Sequence, residues 1–303
     1  MTTPDTEQAT AISVPRAAAT ILLLREVAAQ VEVLMVRRHA NLAFMAGMWV
    51  FPGGSLHAAD SSDDALALLD LDAVTRRMNM LDLQGGAMTA KQAAGLVFAA
   101  CRETFEETGV LLAKTSQGEP PAASMIEQLQ TQRTAVSKDA NLFIGLLQQH
   151  SLRLDLTGLA YWAHWITPSG APRRFDTRFF IVRAPAADLA SADTGETVDS
   201  IWMTPSALLE AAQRRDMPIS HPTQCNLHDL QTTLTRYHSL DELLSAEASR
   251  SVMPILPKMF RDQDRTTIVM PWDATYATSP GEGMIATDCG ALAALPSRIV
   301  TDR

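Results

Sequence analysis

The chain has 303 residues, of which 47% are hydrophobic and 19% are charged, and its formal net charge is -9. This composition is that of an ordinary globular protein with enough apolar material for a hydrophobic core. The acidic balance argues against nucleic acid as a partner, so an anionic substrate would need a local basic cluster or a bound cation.

The cysteines and the apolar segments indicate in which cellular compartment the protein is expected. Only three cysteines occur, at Cys101, Cys225 and Cys289, and their wide separation excludes a thiol zinc site and a disulfide framework. Residues 1–14 lack the basic start and apolar run of a secretory signal, and no apolar stretch is long enough to span a bilayer. We therefore expect a cytoplasmic protein with no membrane partner.

The first third of the chain predicts a leader, strands and an inserted segment. Residues 1–15 form the leader, and residues 16–25 and 30–38 predict two strands of a hairpin. A short strand at 48–51 ends at a proline–glycine turn. Residues 55–88 indicate an insertion that is partly helical, and its path, including whether it caps a substrate pocket, stays open.

The rest of the chain alternates helices and strands. Thr89 is suited to cap a helix over 90–108, and Gly109 is suited to end it. Further patterns predict helices within 122–150 and at 205–215, 222–235 and 240–249, and strands at 158–167, 174–183 and 197–203. A tail punctuated by prolines follows residue 252. This order predicts an α/β or α+β protein whose helices cover a mixed sheet.

An acidic cluster on the helix predicted over 90–108 carries most of the chemical information. Glu103, Glu106 and Glu107 stand at i, i+3 and i+4, so their carboxylates share one helix face. Like charges on one face repel, and a cation among them removes that cost. Ligands that are all carboxylate oxygens select a hard ion, chiefly Mg²⁺ or Mn²⁺. The neighbouring Arg102 is suited to hold one carboxylate through a bidentate bond.

An acidic helix face is more often a solvated surface than a functional site. Three features of this sequence favour a functional site. Phe98, Cys101 and Phe105 give the helix an apolar opposite face. Gly109 ends the helix shortly after the cluster, and a Phe-Pro-Gly-Gly turn at residues 51–54 lies upstream. The composite pattern favours a functional site over a solvated face.

These segments together resemble the Nudix box, G-x5-E-x7-R-E-U-x-E-E-x-G-U, in which U is apolar. The second half matches from Arg102 to Val110, with Thr104 at the first apolar position, and the first half matches at Gly54. Where the box has its first glutamate, this chain has Asp60. The spacer after Asp60 covers residues 61–101, which is 41 residues instead of seven. The long spacer puts the role of Asp60 in question.

The expanded box resembles the insertion-bearing branch of Nudix hydrolases that includes the peroxisomal-type coenzyme A diphosphatases. The resemblance implies a Nudix-like α/β/α sandwich with a mixed sheet, an insertion inside the box and extra C-terminal helices. It places the hydrolase domain at residues 16–235, with 55–88 as the insertion. Residues 236–303 would then form a C-terminal helical extension and tail.

The resemblance also implies roles for the box residues. Glu106 and Glu107 would be metal ligands, Glu103 would be a ligand or the general base, and Arg102 would orient it. The backbone of Gly53 and Gly54 would approach the phosphate or the metal, with Gly54 as a further ligand position, and a glycine has no side chain to obstruct this approach.

Candidates outside the box are basic or acidic residues near predicted strand ends. Arg37, Arg38, Arg174 and Arg178 are the arginines that we expect to bind substrate phosphate. Glu196 and Asp199 are alternative general bases, because in some Nudix enzymes the base comes from a later loop. We expect His164 to be a packed structural histidine, and His221 to mark a helix entry more readily than a ligand.

The predicted function is hydrolysis of a small-molecule diphosphate. Coenzyme A or acyl-coenzyme A is the favoured substrate, and its hydrolysis would give a phosphopantetheine and adenosine 3′,5′-bisphosphate. A nucleoside diphosphate-sugar or dinucleotide pyrophosphatase is the rival of the same class, and a non-catalytic Nudix-fold binding or regulatory module is the rival of a different class. The presence of Glu103, Glu106 and Glu107 together favours an enzyme. A homodimer stays open, with the region beyond residue 235 as the candidate interface.

Overall fold

A computed structural model describes residues 13–77, 79–83, 85–185, 197–262, 264–284 and 289–302. Most of the predicted leader and Glu196 lie outside these ranges. The strands are β1 (Arg16–Val27), β2 (Gln30–Arg38), β3 (Trp49–Val50), β4 (Gly53–Ser55), β5 (Ala113–Thr115), β6 (Leu152–Leu154), β7 (Ala160–Ile166), β8 (Phe175–Arg183), β9 (Thr197–Met203), β10 (Pro254–Ile255), β11 (Lys258–Asp262), β12 (Arg265–Val269) and β13 (Arg298–Asp302).

The helices alternate with these strands along the chain. They are α1 (Asp63–Leu66), α2 (Leu71–Arg77), α3 (Ala90–Thr108), α4 (Ala123–Gln130), α5 (Arg133–Val136), α6 (Asn141–Gln149), α7 (Pro205–Gln213), α8 (His221–Leu234) and α9 (Leu240–Glu247). Within the described ranges, no helix has both the length and the apolar composition needed to cross a bilayer.

A mixed eight-stranded sheet forms the centre of the molecule. Its order is β10-β7-β8-β1-β2-β3, with β4 also paired to β1 and β9 to β2. The predicted hairpin is confirmed, because β1 and β2 pair antiparallel around Ala28 and Ala29, which both have positive φ. β8 runs parallel to β1, and β10 runs parallel to β7.

The central strand β1 separates two hydrophobic cores. Ile21 and Leu23 face one core, together with the apolar side of α3. Leu22 and Leu24 face the other, together with residues of α7, α8 and α9. Because successive side chains of a strand point to opposite faces, a strand that is apolar on both faces is buried between two layers. The result is the α/β/α sandwich that the sequence predicts.

Helix α3 begins and ends where the sequence predicts. The Thr89 hydroxyl accepts a hydrogen bond from the Gln92 N–H, and the Gln92 side chain accepts one from the Thr89 N–H, which is a capping box. At the other end Gly109 adopts a left-handed conformation with φ 76°, and its N–H donates to Phe105 O at 2.8 Å. The helix that these caps delimit contains all three glutamates of the acidic cluster.

Two parts of the chain differ from the predicted elements. Residues 53–55 form strand β4 along β1, where the sequence indicated a turn. Beyond α9, the expected helical extension and tail instead contains the antiparallel sheet β11-β12-β13 and the strand β10 at the edge of the main sheet. These strands have two to five residues each. The two residues of β10 are too few to show a pattern, and the sequences of β11, β12 and β13 do not strictly alternate apolar and polar residues, so no strand signal marks them.

The insertion packs on the α3 side of the sheet. Leu66 of α1 and Val74 of α2 belong to the same core as α3. The Arg178 guanidinium on β8 donates from Nη2 to Leu81 O at 2.7 Å, which ties the end of the insertion to the sheet. The insertion therefore forms part of the layer that supports α3.

Candidate active site

The side chain of Arg102 lies at the centre of the acidic cluster and is 1% exposed. Its Nε and Nη2 donate to the two carboxylate oxygens of Asp60 at 2.8 and 3.0 Å. Nη1 donates to Glu103 Oε1 at 3.0 Å and to Glu106 Oε1 at 2.7 Å, and Nη2 also donates to Ser55 O at 3.2 Å. A guanidinium has five N–H donors, so every donor of Arg102 is used within this cluster.

Asp60 reaches Arg102 although 41 residues separate them along the chain. It lies in a short 3-10 helix, Ala58–Ser61, is fully buried, and accepts a further hydrogen bond from the His57 N–H at 2.8 Å. The long spacer loops out after Asp60 and returns at the start of α3. The structure therefore places this aspartate beside the box arginine, which answers the question raised by the expanded box.

Strand β4 lies against the carboxylates of α3. The Gly53 N–H donates to Glu107 Oε2 at 3.0 Å. A Cβ atom on Gly54 would lie 2.4 Å from the Cδ atom of Glu103, which is closer than real contacts allow. Any residue with a side chain at Gly54 would displace Glu103, so the close approach of strand and helix requires glycine there.

Burial makes the cluster electrostatically unfavourable without a cation. Desolvation raises the pKa of Glu103 to about 7 and also raises the pKa of Glu106, although the nearby Arg102 opposes both shifts. The four carboxylates of the cluster contact two guanidinium groups, Arg102 and, at 3.8 Å from Glu107, Arg38. A divalent cation among these buried carboxylates would offset the cost of their burial and of their mutual repulsion.

The donor chemistry fits a hard metal ion. The buried acidic groups offer carboxylate oxygens, which Mg²⁺ and Mn²⁺ prefer, and no thiolate. Among the described residues, however, no three His, Cys, Asp or Glu side chains already surround a common metal position. The hydrogen bonds from Arg102 Nη1 hold Glu103 and Glu106 through their Oε1 atoms only.

A cavity of about 540 Å³ opens beside the cluster. Glu103, Glu106 and Glu107 line it together with β4 and Arg38. Much of the remaining lining is apolar, including the aromatic residues Phe44, Phe51, Trp165, Phe175 and Phe179. Within the insertion of residues 55–88, Ser55 and His57 line the cavity, whereas none of the described residues in 61–77, 79–83 and 85–88 does. The part of the insertion that loops out after Asp60 therefore does not cap the cavity.

The structure corrects the expected phosphate-binding role of Arg174 and Arg178. The cavity is lined by Phe175, Thr177 and Phe179 of β8, and the two arginines point to the opposite face of that strand. Both are buried and bonded elsewhere: Arg174 donates to Thr167 O and Ser13 O, and Arg178 pairs with Asp176 and donates to Leu81 O. The alternation was predicted from the sequence, but which face meets the cavity was not.

Two other candidates also lie away from the cavity. Arg37 is exposed and does not line the cavity, unlike its neighbour Arg38. Asp199 is exposed on β9, where it pairs with Arg37 in the strand register and accepts a hydrogen bond from the Ser200 N–H. Asp199 does not line the cavity either. Glu196 lies outside the described residues.

One histidine, His164, is buried in the protein interior, and two others, His221 and His57, line the cavity. His164 is fully buried, and its Nε2 lies 2.5 Å from Asp176 Oδ1, so the prediction of a structural histidine is confirmed. His221 begins α8, as predicted, but it also lines the cavity, and burial lowers its pKa. His57 also lines the cavity, and no sequence pattern discussed above predicted it there. Its position between Gly54 and Asp60, inside the first half of the box, was the feature that could have identified it.

Comparisons of the sequence with known proteins identify the family to which the chain belongs. The family model of the NUDT19 Nudix domain matches residues 8–230. Similar proteins include the acyl-coenzyme A diphosphatase NUDT19 of Gallus gallus, which is 27% identical over 82% of this chain and 74% of that protein. The human acyl-coenzyme A diphosphatase NUDT19 is 26% identical over 81% of this chain and 72% of that protein.

A solved structure supports the fold. The crystal structure of a NUDIX hydrolase from Alicyclobacillus acidocaldarius has a TM-score of 0.59 and 25% sequence identity to this chain. The alignment covers 77% of this chain and 96% of that one. The α/β fold and the resemblance to the Nudix family that the sequence predicts are therefore confirmed.

The contacts of Asp60 predict its contribution to stability. In Asp60→Asn, one carboxylate oxygen is replaced by an NH₂ group that faces the N–H donors of Arg102. We expect the free energy of unfolding to fall by about 3 kcal/mol, as when a buried ion pair loses one partner. Urea denaturation monitored by circular dichroism measures this change.

Asp63→Asn is the matched control. Asp63 lies three residues along the chain, and its side chain is 96% exposed beside Lys91. We expect its effect to stay below about 1 kcal/mol. Equal stability of the two variants would contradict the assignment of Asp60 to the buried cluster.

Proposed function

We propose that this chain, which belongs to the NUDT19 Nudix domain family, hydrolyses the diphosphate of coenzyme A or acyl-coenzyme A. Family membership makes the chain a Nudix hydrolase that acts on a diphosphate linkage. The proposed products are a phosphopantetheine, acylated or free, and adenosine 3′,5′-bisphosphate. The observation that carries this proposal is the buried carboxylate cluster around Arg102 at the wall of a cavity that is otherwise largely apolar.

Support for the substrate comes from the relatives and from the cavity. The vertebrate relatives named above are acyl-coenzyme A diphosphatases. Coenzyme A combines a charged diphosphate with a long uncharged arm. The cavity likewise combines the carboxylate cluster with an apolar lining, so it offers complementary surfaces to both parts of this substrate.

We propose that Glu103, Glu106 and Glu107 hold Mg²⁺ or Mn²⁺. The Oε1 atoms of Glu103 and Glu106 are bonded to Arg102, which leaves their Oε2 atoms as the ligand atoms of this proposal. A bound divalent ion neutralises charge on the diphosphate and lowers the pKa of a water molecule that it binds. Glu103 is then either a further ligand or the general base, as the family resemblance implies.

The other residues of the site position the reacting groups. Arg102 fixes the orientations of Glu103 and Glu106 through its hydrogen bonds, and this fixed geometry favours the transition state because no side chain must reorganise. Arg38 is the arginine of the described cavity lining, and we propose that it binds a non-bridging phosphate oxygen. The glycines of β4 let the substrate approach the backbone closely.

We propose that the protein acts in the cytoplasm. Cys101 and Cys225 are buried thiols outside any disulfide, which suits a reducing compartment. A homodimer stays a prediction of the sequence.

A substrate panel tests the proposed reaction. We expect the purified chain with Mg²⁺ to release adenosine 3′,5′-bisphosphate from coenzyme A or an acyl-coenzyme A, measured by liquid chromatography. The panel includes a nucleoside diphosphate-sugar and a dinucleotide. Rapid cleavage of either one, without turnover of any coenzyme A compound, would contradict the substrate. Absence of turnover on every substrate would favour the non-catalytic module.

Glu106→Gln tests the proposed ligand role. The substitution keeps the size of the side chain and one oxygen that accepts the bond from Arg102, but it removes the negative charge. We expect kcat to fall by at least about 100-fold, since removing one electrostatic contact to the transition state typically has this effect. Steady-state kinetics with circular dichroism checks both activity and folding.

The control for this variant is Glu127→Gln. Glu127 lies on the exposed face of α4 and does not line the cavity, so its kinetics should match those of the wild type. A folded Glu106→Gln protein with wild-type kcat would refute the ligand role.

A further inference from the structure

The C-terminal strands supply one wall of the cavity. Pro257, Ile268, Met270 and Ile299 line the cavity, and we call these four residues the C-terminal wall. Ile268 on β12 and Ile299 on β13 are direct partners in the strand register. All four residues lie beyond residue 230, where the match to the family model ends. Family membership therefore gives no role to this wall.

The C-terminal wall is a packed part of the molecule. Strand β10 precedes it and pairs with β7, where Ile255 is the register partner of Trp165. Met270 is 1% exposed and belongs to the core on that side of the sheet. The Tyr276 hydroxyl donates to Leu256 O at 2.5 Å, which holds the loop after β12 to the segment before Pro257. The wall is thus a defined surface with fixed side chains.

The chemistry of the wall determines which part of a substrate it can bind. Its four side chains carry no charge and no hydrogen-bonding group apart from the weakly polar sulfur of Met270. The adenosine bisphosphate half of coenzyme A carries a phosphate on its ribose, and burying that charge against hydrocarbon without a cation is unfavourable. An alkyl chain, in contrast, gains free energy when such a surface removes it from water.

Other lining residues suit the segment that connects the alkyl chain to the diphosphate. Hydroxyl groups at the cavity come from Thr177 on β8, from Thr167 directly after β7, and from Ser220 and Thr223 at the start of α8. Hydroxyl groups can donate and accept hydrogen bonds, as the amides of a pantetheine arm require. The cavity thus offers carboxylates, hydroxyls and a hydrocarbon wall, which are the surfaces that a diphosphate with its metal, an amide-bearing arm and an acyl chain need.

We propose that the C-terminal wall binds the acyl chain of an acyl-coenzyme A and gives the enzyme a preference for acylated over free coenzyme A. This inference rests on the proposed diphosphatase function. The residues that set the preference are then Ile268 on β12 and Ile299 on β13, which lie outside the matched Nudix domain, while the buried Met270 supports them.

Ile299→Ser tests the wall through a comparison of two substrates. We expect kcat/KM for dodecanoyl-coenzyme A to fall about tenfold or more, mainly through KM, since losing methylene contacts in an apolar pocket costs about this much. For free coenzyme A we expect a change of less than about threefold, because it has no chain to place against the wall. The full-length protein is used with Mg²⁺.

Val300→Ser is the matched control on the same strand. Val300 follows Ile299 directly, is 54% exposed and does not line the cavity. We expect this variant to match the wild type on both substrates. Ile299→Phe keeps the wall apolar while reducing the space beside it, and we expect it to shift the preference toward shorter acyl chains. This second variant keeps the test informative if Ile299→Ser does not fold.

Three outcomes would overturn the proposal. They are an equal loss on dodecanoyl-coenzyme A and free coenzyme A in folded Ile299→Ser, unchanged kinetics on both, and an unchanged chain-length preference in Ile299→Phe. Failure of the underlying function is distinguishable, because the wild type itself would then cleave neither coenzyme A compound, and the inference would fall with it.

Discussion

A single buried guanidinium joins the parts of the active site. All five N–H groups of Arg102 are used, by Asp60, Glu103, Glu106 and the carbonyl oxygen of Ser55. These partners come from α3, from the strand beside it and from the turn that follows. A fully bonded guanidinium fixes its partners in orientation as well as in distance. The positions of the Asp60, Glu103 and Glu106 carboxylates therefore depend on this one side chain, whereas Glu107 accepts a hydrogen bond from the Gly53 N–H.

The buried carboxylates of the cluster explain how an acidic protein can act on an anionic substrate. Near the site the described cavity lining has one arginine, Arg38, so side chains alone provide little positive charge. Desolvation by burial raises the pKa of Glu103 although Arg102 opposes the shift, and such buried carboxylates would bind a divalent cation favourably. The cation then supplies the positive charge that the composition of the protein lacks.

Sequence patterns predicted what depends on local order along the chain. Helix α3, its caps and the shared face of its glutamates follow from helical periodicity, and the hairpin follows from alternation. The alternation of side chains along β8 also placed Arg174 and Arg178 on one face of the strand. The same sequence pattern would arise whichever face lines the cavity, so it could not show that the arginines point away from it. The C-terminal wall depends on pairing between strands that are distant in sequence and only five residues long, so no local pattern identifies it.

A crystal soaked with Mn²⁺ tests the central claim most directly, since Mn²⁺ has a measurable anomalous signal. The account predicts an anomalous peak within ligand distance, about 2.2 Å, of carboxylate oxygens of Glu103, Glu106 and Glu107, with Arg102 still bonded to Asp60. A well-occupied peak elsewhere, or none beside these glutamates at saturating Mn²⁺, would contradict it.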